Sequence, residues 1–128
     1  MKFAANIPIY LQVKNLLIQR IIVGTYPLGK KIPSVRELAD ELTTNPRTIQ
    51  NALKELITAK IIETRRGQGN FVTTEQARIE DLKQQEIRVT TEKYLLRLRP
   101  YLSLAEIIRI LTEVDQQQGG PRKWKMMD

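Results

Sequence analysis

The chain has 128 residues, 41% of them apolar, with 21 Lys/Arg against 14 Asp/Glu and a formal net charge of +7. It holds neither His nor Cys, which excludes disulfides, zinc sites built from imidazole or thiolate, and Ser-His or Cys-His nucleophile pairs; the carboxylates Glu37, Asp40, Glu41 and Glu55 sit at the spacing of solvated helix faces, so no enzyme, metal centre or cofactor is expected. No run of about 20 apolar residues is present to span a membrane, and the N-terminus has no apolar h-region, so the expected location is the cytoplasm.

Pro8 suits the first turn of a helix, where its missing N–H costs nothing. Ile9, Val13, Leu16, Leu17, Arg20 and Ile21 follow at helical spacing, Tyr10, Ile18 and Ile22 widen that face, and Gly24 suits a left-handed stop. A loop through Tyr26, Pro27 and Gly29 leads to Lys30 and Lys31. Ser34, with Glu37 three residues on, makes the capping box of a second helix, whose inner stripe is Val35, Leu38, Ala39 and Leu42. Thr43 and Thr44 form a turn. Asn45 caps a third helix with Pro46 at its first position. Its inner face is Ile49, Ala52, Leu53, Leu56 and Ile57, which leaves Arg47, Thr48, Gln50, Asn51 and Lys54 outward.

Ile61–Arg65 and Asn70–Thr73 read as strands, separated by Arg66-Gly67-Gln68-Gly69, where two glycines in four residues permit a tight reversal. From Glu75 to about Arg99 the chain is polar and free of helix breakers, with Leu82, Val89 and Leu96 spaced by seven as in a helix–helix seam. Pro100 ends that helix. Ser103 caps a last one, striped by Leu104, Ile107, Ile108, Leu111 and Val114. The expected architecture is mostly α: a winged helix-turn-helix of three helices and a two-stranded β wing over residues 1–73, then a two-helix dimerisation segment over 74–118. A flexible tail over 119–128 completes it.

The charge follows this division. Residues 1–73 carry 11 Lys/Arg against 5 Asp/Glu, a balance of +6, whereas 74–128 carry 10 against 9. Excess positive charge attracts any polyanion; its coincidence with a helix-turn-helix points to double-stranded DNA.

The residues from Pro8 to Val72 together resemble the GntR family of bacterial transcription regulators. The resemblance rests on Pro8-Ile9-Tyr10-Leu11-Gln12, on Gly24, Gly29 and Ile32-Pro33-Ser34, and on Arg36-Glu37-Leu38-Ala39. Asn45-Pro46, Thr48, Ala52-Leu53 and the wing Arg65-Arg66-Gly67-Gln68-Gly69-Asn70-Phe71-Val72 complete it. The segment after Val72 is too short for the larger effector-binding domains of most subfamilies and is similar to the YtrA subfamily, as are Asn45-Pro46 and Gln50. The resemblance implies a repressor that competes with polymerase at its operator and controls nearby transporter genes.

Arg36, on the first turn of the second helix, is implied by the resemblance to contact DNA; the plain alternative is an ion pair with Asp40. Asn45, Arg47, Thr48 and Gln50 cluster where a recognition helix enters the major groove. Gln50 is suited to adenine and Thr48 to a phosphate, Arg47 to phosphate or guanine, while Asn45 has a capping job in any case. For Asn51 and Lys54 the alternative is ordinary helix surface, and for Asn51 that is the plainer reading. In the wing, Arg65, Arg66, Gly67, Gln68 and Gly69 suit a phosphate or a narrow minor groove; a mere hairpin would need the glycines and not the arginines. Lys30 and Lys31 are weaker candidates. Leu104, Ile107, Ile108 and Leu111 are the candidate dimer interface, and a two-fold dimer would present two recognition helices to an inverted repeat.

The function expected is therefore sequence-specific transcription regulation by a homodimer, with no membrane partner and no residues that single out a small-molecule effector. Two rivals remain open: an RNA-binding winged helix, which lacks here the aromatic platform for single strands, and a protein-interaction module whose basic face is incidental.

Overall fold

The computed structural model describes residues 2–119; the expected tail lies, from residue 120 on, outside the described residues. The chain divides into two compact units, one running to Leu82 and one starting at Lys83. The first holds α1 (Ile9–Ile22), α2 (Val35–Leu42), α3 (Pro46–Thr58), β1 (Ile62–Arg65), β2 (Gly69–Val72) and the beginning of α4 (Gln76–Leu98). The second continues α4 and adds α5 (Leu104–Gln117). The first unit takes in the start of α4, whose Ile79 and Leu82 pack against its core.

The core is built as the sequence stripes require. Helix α3 packs on α1, α2 and β1, burying Ile49, Ala52, Leu53 and Leu56 against Val13 and Leu17 of α1 and Leu38 and Leu42 of α2. Two stripe positions are corrected. Ile9 is 44% exposed because, as the first residue of α1, it lies beyond the end of the packed surface, and Ile57 is 37% exposed because it falls one helical step past the line of Ile49, Leu53 and Leu56. Arg20, which shares the spacing of the apolar face, is held by charge instead. Its Nη1 donates to Tyr26 Oη at 2.6 Å and to Glu41 Oε1 at 3.0 Å, and its Nη2 pairs with Glu41 Oε2, which ties α1 to the last turn of α2. Lys14 does the same for α1 and α3 through Glu55, at 3.0 Å.

The turn between α2 and α3 carries local strain. Thr43 stands at φ 50°, ψ 54°, a left-handed conformation that the neighbouring backbone enforces: Thr44 N donates to Ala39 O at 3.0 Å and closes the helix. A β-branched residue is costly there because its branch crowds the backbone.

Strands β1 and β2 pair antiparallel, Ile62 with Val72, Glu63 with Phe71, Thr64 with Asn70 and Arg65 with Gly69. The first strand is one residue shorter than expected and the second is shifted by one: Gly69 joins the ladder opposite Arg65, while Ile61 and Thr73 lie just outside it, joined by the bond from Thr73 N to Ile61 O at 2.9 Å. The wing also gains an edge that the sequence does not announce. Lys31 bridges Phe71, with Ile32 N donating to Asn70 O and Val72 N to Lys30 O, both at 2.9 Å.

In the second unit α5 begins with a full capping box, Ser103 Oγ accepting from Glu106 N and Glu106 Oε1 accepting from Ser103 N. None of the described helices is long and apolar enough to cross a membrane.

Two consequences can be measured. Thr43→Gly removes a left-handed penalty of about 1–2 kcal/mol and loses about 0.5–1 kcal/mol to glycine's unfolded-state entropy, so a net gain of about 0–1.5 kcal/mol is expected, read as a thermal midpoint unchanged or raised by up to roughly 8 °C; a lowered midpoint would refute the strain. Arg20 holds the Glu41 carboxyl below its ordinary 4.5 through their hydrogen bonds. A carboxylate with a depressed folded pKa stabilises above its unfolded pKa, and that stability is lost as pH falls through the folded value. Glu41→Gln is therefore expected to cost about 0.5–1 kcal/mol near neutral pH, discounted for a pair that is partly open to solvent. Urea titrations should show the gap to the native chain closing below pH 4.5.

Candidate nucleic-acid interface

The helix-turn-helix presents two N-terminal ends built by local chemistry. At α2, Ser34 Oγ accepts from Glu37 N at 3.1 Å and Glu37 Oε1 accepts from Ser34 N at 2.9 Å. These bonds hold the Glu37 carboxyl below the usual range, and nearby Lys31 adds a smaller contribution of the same sign. Arg36, beside Glu37, is exposed, and it forms no ion pair with Asp40 or any other acid among the described residues. At α3, Asn45 Oδ1 accepts from Arg47 N at 2.8 Å and Pro46 takes the first position. Asn45 is thus committed as a cap through its oxygen, and the rest of its amide stays exposed.

Helical spacing then separates the two faces of α3. Arg47, Gln50, Asn51 and Lys54 recur at steps of three and four and are all exposed, while Ile49, Ala52, Leu53 and Leu56 face the core. Thr48 sits half-buried on the flank. Asn51 and Lys54 share the outward stripe of Arg47 and Gln50, as their spacing implies. Lys54 forms no ion pair among the described residues.

The wing is a three-residue reversal, Arg66-Gly67-Gln68, closed by Gln68 N donating to Arg65 O at 2.8 Å. Gly67 at φ 76° adopts a backbone that other residues reach at a cost. Arg66, Gly67, Gln68 and Gly69 are exposed, and Arg66 is without an ion pair among the described residues. Arg65 differs: its guanidinium carbon lies 3.9 Å from the centroid of the Phe71 ring. Lys14 and Arg20, which join helices, have acidic partners, as does Arg78 locally through Glu75; Arg36, Arg47, Arg65 and Arg66 have none among the described residues.

Of the candidate dimer residues in the second unit, Leu104, Ile108 and Leu111 are 63%, 55% and 59% exposed, and Val114 is 45% exposed. Ile107 is 5% exposed, so it is consumed by packing within the chain and is not free to meet a partner, a correction to its grouping with the other three. Helix α4 buries no residue, and its Ile87, Val89, Tyr94 and Leu96 are exposed. An open depression of about 470 Å³ lies along α4, lined among the described residues by Thr90, Lys93, Tyr94, Leu96 and Arg97.

Comparison with known proteins bears on this arrangement. Residues 9–72 match the model of the family described as bacterial regulatory proteins, gntR family. The HTH-type transcriptional regulator YhcF of Bacillus subtilis is 35% identical over 98 residues, 77% of this chain and 81% of its own length. The HTH-type transcriptional repressor YtrA of the same organism is 41% identical over 54% of this chain; the chain spans 53% of YtrA. Among solved structures, a GntR family transcriptional regulator from Listeria monocytogenes superposes with a TM-score of 0.81 at 37% identity, covering 87% of this chain and 98% of its own. The DNA-binding domain of AraR, solved in complex with operator ORR3, gives 0.52 at 27% identity over 57% of this chain and 88% of its own.

Proposed function

The chain belongs to the gntR family of bacterial regulatory proteins, and from that premise we propose that it represses transcription by binding an inverted-repeat operator in double-stranded DNA as a homodimer. The observation that carries this reading is the set of exposed, unpaired cations at the ends of α2 and α3 and on the wing. Arg36, Arg47, Arg65 and Arg66 form no ion pair among the described residues. Phosphates supply the missing partners.

In this reading residues 1–73 form the DNA-binding part and 74–118 the dimerisation segment. Arg47 and Gln50 face the base edges in the major groove, with Asn45 and Thr48 beside them at the helix end. Arg36 meets the backbone at the start of α2, and Arg65 to Gly69 meet a flanking phosphate or minor groove. The likeness to AraR, a protein solved with its operator, supports duplex DNA over RNA, and the name of YtrA supports repression. Dimerisation would cover Leu104, Ile108 and Leu111, which one chain leaves open to water. A regulator of chromosomal genes works in the cytoplasm, and no catalysis is proposed. A small-molecule effector has no convergent polar group to argue from.

Fluorescence anisotropy against duplex DNA from the chain's own upstream region and a scrambled duplex tests the function. The native duplex should bind about a hundredfold or more tighter at physiological salt, and equal, steeply salt-dependent binding to both would sink operator recognition. Ile108→Asp with Leu111→Asp should yield a monomer by sedimentation and weaken operator binding by at least tenfold, since one half-site contact set is lost. A dimer that survives both charges would move the interface elsewhere.

A further inference from the structure

The register of the wing sheet places more on its outer face than the turn alone. Cross-strand partners share a face, and so do residues two apart along a strand. Ile62 and Val72 are buried, so their face is the inner one. Glu63, Arg65, Gly69 and Phe71 then lie on the outer face, and the bridge with Phe71 adds Lys31 to it. Two cations therefore flank the middle strand, one from each side.

Arg65 is steadied by a ring, and Lys31 lies across the open backbone of Gly69. Gly69 stands opposite Arg65 and lends no side chain, and the space above it is taken by Lys31: a Cβ built on Gly69 would lie 2.8 Å from Lys31 Cε and 3.5 Å from its Nζ. Arg65 leans the other way along the diagonal, onto Phe71. The remaining charge on this face, Glu63, makes no ion pair among the described residues with either. Lys31 and Arg65 are separated by β2, so an anion set between them can draw a charge-assisted hydrogen bond from each.

We propose that Lys31 and Arg65 form a two-cation seat for a DNA phosphate on the outer face of the wing, with Phe71 as the positioning residue that holds Arg65 in it. This rests on the DNA-binding reading above. Phe71 makes no contact with the phosphate; its ring fixes the guanidinium flat and leaves the N–H edge free, so less side-chain freedom is lost on binding. The absence of a side chain at Gly69 serves the same end, by giving Lys31 room to cross the strand.

The test is a salt series of anisotropy titrations of the full chain with a short mixed-sequence duplex, which reads phosphate contacts without needing the operator. Lys31→Gln and Arg65→Gln should each flatten the slope of log K against log salt by about one. Lys60→Gln, an exposed lysine in the turn after α3, should change it less. Phe71→Leu should weaken binding by roughly two- to fivefold and Phe71→Tyr should not, and Phe71→Leu should add nothing to Arg65→Gln. In the free protein the Arg65 side-chain protons should resonate upfield in the native chain and in Phe71→Tyr, and return to ordinary positions in Phe71→Leu. A Lys31→Gln slope equal to that of Lys60→Gln, or additive losses from Phe71→Leu and Arg65→Gln, would overturn the seat while DNA binding stands. A native chain with no salt-dependent duplex affinity would overturn the DNA reading itself, and the seat with it.

Discussion

Everything the first unit presents depends on the burial of one stripe of α3. Helices of 8 and 13 residues are marginal in isolation, because nucleation is costly and few hydrogen bonds follow. What holds α2 and α3 at a fixed angle is the removal of Ile49, Leu53 and Leu56 from water against Leu17 and Leu38, all at most 2% exposed. Full burial of such a side chain is worth roughly 1.5–3 kcal/mol, several times what any exposed pair supplies. The outward stripe of Arg47, Gln50, Asn51 and Lys54 is fixed because its opposite is fixed. Helix α3 is the common partner of α1 and α2, and Arg20 and Lys14 of α1 add ion pairs to α2 and α3.

Charge is sorted by what it does. A cation that joins two elements is given an acid and partly shielded, as in Arg20 with Glu41 and Lys14 with Glu55. Arg36 and Arg47, near the exposed starts of α2 and α3, have no acidic partner among the described residues. The sorting is economical because pairing an interface cation internally would require breaking that pair on binding. The wing adds a third solution, in which Arg65 is steadied by an aromatic face that fixes its position and leaves its charge uncompensated.

Much of this was legible in the residues because its causes are local. Ser34-Glu37 and Asn45-Pro46 each satisfy backbone donors within a single turn, so the helix starts they announce are where the sequence puts them. The stripes of α1 to α3 follow from spacing, with errors at Ile9 and Ile57, where an element's end or the curvature of the core decides exposure. The sequence offers Lys31 only as a weaker candidate and Phe71 only as part of the wing, without the contacts proposed for them. Their roles depend on an edge strand and a sheet register, which nothing near either residue in sequence encodes. Thr43 was read as turn but not as strained, since a threonine pair carries no signal of a left-handed backbone. The partner of Ser103 in its capping box, Glu106, stands at the same spacing as Glu37 after Ser34 and was available to the same reasoning.

The two units solve the burial problem differently. The first encloses its own apolar stripes within a single chain. The second does not: α4 runs for 23 residues without a buried one, and α5 hides Ile107 alone while Leu104, Ile108, Leu111 and Val114 stay open. Such a helix pair has local stability from its caps and little from packing, so under the proposed dimer its folding and its association are one event. Operator affinity then inherits the dimer's concentration dependence: each recognition helix is complete in a lone chain, but the spacing between two of them exists only once α4 and α5 have met their copies. Regulation through this segment needs no pocket, because anything that shifts the association equilibrium shifts the number of half-sites held at once.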